Sequence, residues 1–460
     1  MTTTATLALF LWPVVAALLY ARFPLARATV WNFLGAQMFL PVGTIKFAMI
    51  PGIDKTSVPT FCALIAFLIG ARQVRKIKSR FSWAEIFLLM YLASPLVSSL
   101  LNGDAITYGE RVLPGLGWYD GLSAVEAAFI VCLPFYLGRK LLCTAEGGQM
   151  ALTELAIAGT LYSFFMLIEI RLSPQFHYWV YGYQSSQFAQ SVRGDSYRPM
   201  VFMGNGLLAT FFLMSACIAM AALRQVDARI FRLPAPGLTG YLFVVLVWCR
   251  SLGTTIYGAL GVPLVLWASP KACVRIALVL ALLTIGYPLL RSSDLIPTAA
   301  IMQTAEMVST DRAGSVRVRF ENEDRLLAHA VQRPWFGWGR FGRSRVYDPY
   351  GNDISVTDGR WIITLGQFGL FGFAAEFGLL AIGIWRAHRA LKLLKSRREA
   401  VVIAALALIL AFNLIDLLPN STITPLTFLF AGALTGRVDF IRALARGSRA
   451  PARATVMPRN

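Results

Sequence analysis

The chain has 460 residues, 57% hydrophobic and 15% charged, with a mean hydropathy of +0.60. A soluble fold of this size has no core that hides such an apolar excess, so soluble enzymes, DNA-binding modules and disulfide scaffolds are excluded, and the sequence reads as an all-α polytopic membrane protein. Lys and Arg total 43 against 24 acids, a formal charge of +19, but the placement of that charge points to membrane topology and not to nucleic acid.

Taken in chain order, apolar runs predict spans at 5–21, 29–50, 58–71, 83–101, 122–138, 150–172, 200–222, 239–250, 254–268, 274–291, 361–385, 400–418 and 420–436, some short enough to be half-helices, hence twelve to thirteen transmembrane helices. The first run lacks a basic leader segment and is followed by Arg22, so it reads as a retained helix and not a signal peptide. Alternate connectors (22–28, 72–80, 139–149, 223–238, 269–275, 386–399) and the tail 437–460 hold 26 basic residues against four acids, which places them in the cytoplasm, with the N-terminus outside. The chain thus divides into an N-terminal bundle (1–291) with outer loops 102–121 and 173–199, a large outer loop (292–360), C-terminal helices (361–436) and a basic cytoplasmic tail (437–460). The six cysteines lie in or beside apolar runs with no CxxC pair and are expected as free thiols.

The loop 292–360 contains an amphipathic stretch from Ser315 to Arg333, two tryptophans and a glycine-rich turn, the marks of a folded cap on the bilayer. With its flanks it carries ten arginines and no lysine: Arg291, Arg312, Arg317, Arg319, Arg325, Arg333, Arg340, Arg343, Arg345 and Arg360, against nine acids. Guanidinium offers a planar fork for phosphate where ammonium is a point charge, so the cluster suggests a phosphorylated ligand; solvated ion pairs are the plainer reading of any single member. Arg193 and Arg198 precede the seventh span, where a side chain reaches a lipid headgroup or simply snorkels.

Of the three histidines, His388 falls in a cytoplasmic connector, His177 sits among aromatics suited to a sugar-stacking surface or an interfacial belt, and His329 shares a helical stripe with Arg325 and Glu321. Asp348, Asp353 and Asp358 lack the spacing of a cation loop, and no metal site is assigned. Gly337, Gly339 and Gly342 in GWGRFG read as turn glycines, with Trp335, Phe336, Trp338 and Phe341 as interface anchors. Gly366, Gly369 and Gly372 read as a close-packing stripe. Glu126, Glu154, Glu169, Arg171, Arg250, Glu376 and Asp416 fall inside spans, where charges are costly; Glu169 and Arg171 are vestibule candidates and Arg250 is a candidate partner for Glu376.

The segment RPWFGWGRFG (333–342), then DGRWIITLGQFGLFGF (358–373) entering a helix, resembles the C-terminal signature of the O-antigen ligase and O-antigen polymerase superfamily. YRPMVFMGNGLLATF (197–211) is similar to that family's arginine-led entry into a helix, with Arg198 and Asn205 at the matching positions. The resemblance covers the topology of the whole chain but only some fifty residues in detail. It implies a C-type membrane glycosyltransferase fold in a bacterial inner membrane, with a periplasmic site that transfers a glycan from polyprenyl diphosphate to a sugar hydroxyl on a glycan or lipid-linked acceptor. No cofactor or metal is implied; other envelope polysaccharide-assembly proteins are conceivable partners.

A diphosphate leaving group needs its charge neutralised, and outer-face arginines supply this: Arg198, Arg193, Arg291, Arg340, Arg343 and Arg345 are the candidates, with His177 beside them. The family commonly shows a histidine just before its last-domain helix, where this chain has Asp358 and Gly359. Asp358 and His329 therefore compete for the role of base. The alternative function is a transporter, either a flippase for lipid-linked polysaccharide or a proton-coupled carrier, against which stands the size of the outer loop.

Overall fold

The computed structural model describes residues 1–47, 50–70, 82–226, 229–230, 233–308 and 310–447; the connector 72–80 and the tail beyond 447 lie outside them. All thirteen apolar runs form helices. They are α1 (Thr3–Arg22), α2 (Leu25–Phe39), α3 (Ser57–Gly70), α4 (Trp83–Leu100), α5 (Trp118–Leu141), α6 (Ala145–Leu172), α8 (Gly206–Gln225), α9 (Ala235–Trp248), α10 (Leu252–Trp267), α11 (Pro270–Ser292), α14 (Arg360–Ala390), α15 (Arg397–Asp416) and α16 (Pro425–Gly447). The short α7 (Phe176–Tyr181) lies between α6 and α8, and α12 (Thr298–Val308) and α13 (Thr310–Ala330) lie in the large loop. Among the described residues, eight of the helices are long and apolar enough to cross a membrane, while α3, α9 and α10 are apolar but shorter. The protein is a multi-pass, helical membrane protein.

The second run is shorter than expected. Pro41 disfavours helical geometry at Leu40, which is extended (φ −73°, ψ 147°), so α2 stops at Phe39 and the rest of the run becomes the hairpin β1 (Thr44–Phe47) and β2 (Ile50–Asp54). Further hairpins follow α4, as β3 (Ile106–Tyr108) and β4 (Arg111–Leu113), and α7, as β5 (Val192–Arg193) and β6 (Ser196–Tyr197).

The connectors sort to two ends of the bundle. At one end the hairpins, α7, α13 and the segment 331–359 are laced together: Thr2 donates to the Tyr181 carbonyl, Val42 N–H to His177, Lys55 to the Phe202 carbonyl, Arg250 to the Arg193 carbonyl, and Arg343 pairs with Asp104. At the other end Arg139 joins Glu85 to Asp439, Arg386 joins the same Asp439, and Arg437 pairs with Glu399. We call these the large-loop end and the basic end.

Between them α8 is buried almost all round. Its approach to α6 is set by small residues, since a Cβ on Gly159 would stand 2.2 Å from that of Ala216. The α5–α16 seam is closer still: a Cβ on Gly432 would lie 2.0 Å from the Phe135 carbonyl oxygen and one on Gly138 2.1 Å from that of Leu429. Two of the acids inside the helices are bonded: Glu154 with Arg27 at 2.7 Å and the Trp31 indole at 2.8 Å, and Glu169 by accepting the N–H groups of Phe176, Met200 and Val201. Glu169 thereby anchors the loop after α6.

Candidate functional site

The site is framed by a break in α14. Gly369 has φ 64° and ψ −166°, and the helix does not continue through it. The freed carbonyls of Gly366 and Gln367 accept the N–H groups of Trp338 (2.8 Å) and Gly339 (2.9 Å), while the N–H groups of Leu370 and Phe371 donate to the Pro334 and Trp335 carbonyls at 2.7 and 3.1 Å. The loop segment 334–339 is thus spliced into the helix backbone and satisfies four groups that the break frees, of which the Gln367 carbonyl also accepts the Ser98 hydroxyl at 2.8 Å. A Cβ on Gly369 would lie 2.3 Å from the Trp335 carbonyl carbon, and one on Gly337 2.6 Å from that of Gln367, so neither glycine is replaceable without movement. This corrects two expectations: Gly369 is a break point and not part of a packing stripe, and Gly337 meets a helix backbone and not only a turn. The aromatics of the segment also divide, with Trp335 and Phe341 exposed and Trp338 buried.

Beyond the break, α14 folds back. Residues sixteen apart on a straight helix stand about 24 Å apart along the axis, yet Arg360 Nη2 reaches Glu376 Oε1 at 2.8 Å and Thr364 donates to the same carboxylate at 2.5 Å. Residues 360–368 therefore return into the bundle against 370–390. Glu376 pairs with Arg360 and not with Arg250, whose guanidinium instead bonds the Arg193 carbonyl at 2.6 Å. The start of α14 is pinned by Arg360 N–H bonds to the carbonyls of Leu417 and Asn420.

Asp358, two residues earlier, lines an open cleft with Tyr287, Arg319, Phe320, Glu323 and Leu418. Arg319 Nε stands 3.5 Å from Asp358 Oδ2, both side chains being close to half exposed. Arg319 also acts electrostatically on Asp416, a buried carboxylate bonded to Thr422 at 2.6 Å and Asn420 at 3.0 Å, and on Arg198. Arg198 lies with its stem on the first residue of α8: a Cβ on Gly206 would be 2.3 Å from its Cδ. Asn205, the other matching position, caps α8 through its Oδ1 and the Leu208 N–H at 2.8 Å.

The Arg198 Nε is buried without a hydrogen-bond partner. Burial first, then the charges of Arg193 and Arg319, push Arg198 down to about 10. A guanidinium that feels two other cations and, among the described residues, no paired carboxylate is a place where a bound anion is stabilised.

The other expected residues fall elsewhere. Arg343 is 1% exposed and spends four hydrogen bonds on the carbonyls of Trp338, Asp104 and Pro114 and on the Asp104 carboxylate. Arg291 is buried against Asp324 at 2.5 Å and Glu323 at 3.7 Å, and Arg345 is paired with Asp353. Arg340 lies over the Phe341 ring near Asp120 and Glu126. Arg343, Arg291 and Arg345 are spent on bonds within the cap, and the side chain of Arg312 lies outside the described residues. The ten arginines thus divide, with Arg291, Arg343 and Arg345 committed inside the cap and Arg319 lining the cleft.

His177 is 2% exposed; its Nδ1 contacts the Tyr183 carbonyl at 2.8 Å and its Nε2 accepts the Val42 N–H at 3.2 Å, so it ties two loops together and presents no sugar-stacking face. His329 is stacked on Trp338 at 4.3 Å with Nε2 bonded to the Arg343 carbonyl at 3.0 Å, and burial lowers its affinity for a second proton. It faces inward, while Arg325 is directed at the Ile354 carbonyl, so the stripe with Glu321 does not converge. Asp348 caps its own turn, Asp353 holds Arg345 and Asp358 holds Arg319, so the three aspartates do not converge either.

Glu323 was the carboxylate not singled out by sequence. It sits in the same cleft as Asp358, accepts from the Tyr287 hydroxyl at 3.1 Å and the Trp361 indole at 3.3 Å, and burial raises its pKa against the pull of those bonds and of Arg291. Its signal was one of position: i+4 from Arg319 on an amphipathic helix. The chain matches no family model and no curated protein.

Proposed function

We propose that the protein transfers a glycan from polyprenyl diphosphate to an acceptor sugar hydroxyl, as the O-antigen ligases and polymerases that the sequence resembles do. The observation that carries this reading is Arg198, a partly buried guanidinium with no paired carboxylate among the described residues, under the electrostatic influence of Arg193 and Arg319 at the large-loop end. The three cations hold the diphosphate. The acceptor oxygen attacks the anomeric carbon, the bond from that carbon to the diphosphate oxygen breaks, polyprenyl diphosphate leaves with the electron pair, and the hydroxyl proton passes to Asp358. The arginines stabilise the charge that develops on the leaving group, and Asp358, kept in contact with Arg319, stands at the mouth of the cleft where a hydroxyl arrives. The basic connectors at the opposite end support an inner-membrane protein whose site faces the periplasm.

A transporter finds support in one observation, since a broken helix beside a buried ion pair is a common arrangement in carriers. In carriers, however, the groups freed by the break face the cargo. Here the four around Gly369 are bonded to the loop 334–339, which leaves none of them for a ligand. Deleting the gene and analysing surface and secreted polysaccharide tests the reading: shortened chains or lost lipid attachment agree with a transferase, whereas full-length polymer retained inside the cell indicates a carrier and unchanged polysaccharide contradicts both.

A further inference from the structure

At the basic end, α14 and α16 run side by side in parallel. A Cβ on Gly383 would lie 2.8 Å from Thr435 Oγ1, and one turn on Arg386 meets Asp439 at 2.8 Å. That register brings Arg389 beside Arg442, and Arg446 follows on the same stripe of α16, seven residues after Asp439. Asp439 is already shared, one oxygen bonded to Arg386 and the other to Arg139. The charges that act most strongly on Arg442 are those of Arg386, Arg389 and Arg446, against that of Asp439. No carboxylate among the described residues lies within ion-pair distance of Arg389, Arg442 or Arg446.

The rule that connectors facing the cytoplasm are basic accounts for cations in loops; it does not account for three guanidiniums along a seam between two helices. Their depth is informative. The segment of α14 after the break, residues 370–390, is about 31 Å long, the thickness of a bilayer's hydrocarbon core. A hydrocarbon core that this segment spans ends beside Arg389, at the level of the lipid phosphates, and Trp385, one turn nearer the centre on the same face, is 48% exposed, as interface aromatics are.

We infer that the α14–α16 seam binds the phosphate of an anionic phospholipid from the adjoining leaflet, with Arg389, Arg442 and Arg446 as its ligands. A phosphodiester supplies the missing negative charge, guanidinium forks match its oxygens, and its acyl chains lie along the exposed face that carries Trp385.

Native mass spectrometry of the full-length protein, released from mixed micelles of phosphatidylglycerol and phosphatidylcholine, tests this. Wild type retains the anionic lipid with roughly a tenfold or greater preference. Arg389→Gln/Arg442→Gln, and separately Arg446→Gln, lose most of that preference while eluting and unfolding in phosphatidylcholine like wild type. Lys271→Gln/Arg275→Gln, which removes two cations from the same end outside the seam, keeps it. Equal loss in that control, or no preference in wild type, overturns the site. Displacement of the lipid by millimolar glycerol phosphate overturns the lipid assignment in favour of a soluble phosphate.

Discussion

Arg360 and Glu376 belong to one helix, sixteen residues apart, and their side chains touch at 2.8 Å with Glu376 fully buried. The contact exists only because α14 breaks at Gly369 and doubles back, so the ion pair is the latch of the fold around the site. Removing one partner of such a pair leaves an uncompensated charge, typically at about 3 to 5 kcal/mol. Glu376→Gln is expected to lower the unfolding temperature sharply, and Arg360→Met/Glu376→Leu to recover much of the loss; single and double variants of equal stability would mean that the latch carries no energy.

Gly369→Ala adds a Cβ 2.3 Å from the Trp335 carbonyl carbon at a backbone angle of φ 64°. We expect strong destabilisation and loss of protease resistance in the loop 331–359. Gly286→Ala is the control: that glycine lies in α11 with nothing within 4 Å of its Cβ, and alanine there should gain about 0.5 to 1 kcal/mol. Thermal unfolding and limited proteolysis of the pair measure the difference, and equal behaviour would remove the splice from the account.

His177 fixes a pH dependence. Burial lowers its pKa, and its Nε2 accepts the Val42 N–H, which only the neutral ring does. Above the unfolded value of about 6.5 neither state binds the proton and the bond is intact. As pH falls through that value the unfolded chain takes up a proton that the folded one resists, so stability is lost toward acid. The unfolding temperature of wild type should drop between pH 7 and 5, and His177→Gln should flatten the drop; an unchanged slope would place the titration elsewhere.

The base is tested by two substitutions. If Asp358 accepts the hydroxyl proton, Asp358→Asn loses roughly a hundredfold or more in rate while His329→Gln keeps most of the activity, allowing for the loss of its bond to the Arg343 carbonyl. The reverse order, with an acidic limb near the ordinary histidine value that vanishes in His329→Gln, would move the role to the histidine.

That each of the thirteen apolar runs holds a helix was legible because apolar backbone in a membrane must bond to itself, but only eight of the described helices are long and apolar enough to span, and the run 29–50 ends early at Pro41. The division among the arginines was not legible. Arg343 finds Asp104, and Arg333 finds Asn102 and Asp104, across more than two hundred residues, and no local pattern reports that. Spacing of three made Gly366, Gly369 and Gly372 look like a smooth face, because the partner that needs the break, the backbone of 334–339, lies outside the window in which periodicity is read. Arg198 was legible through its motif, whereas Arg319, which pairs with Asp358, was one arginine among ten.

The most direct test is the release of polyprenyl diphosphate from a lipid-linked glycan donor by purified protein in excess chelator, comparing wild type with Arg198→Lys. Lysine keeps the charge and loses the fork, so a drop of one to two orders of magnitude is expected, about 1.5 to 3 kcal/mol, with normal expression and wild-type turnover unaffected by the chelator. A lysine variant as fast as wild type, or wild-type activity abolished by chelator and restored by magnesium, would contradict the assignment of Arg198 to the diphosphate.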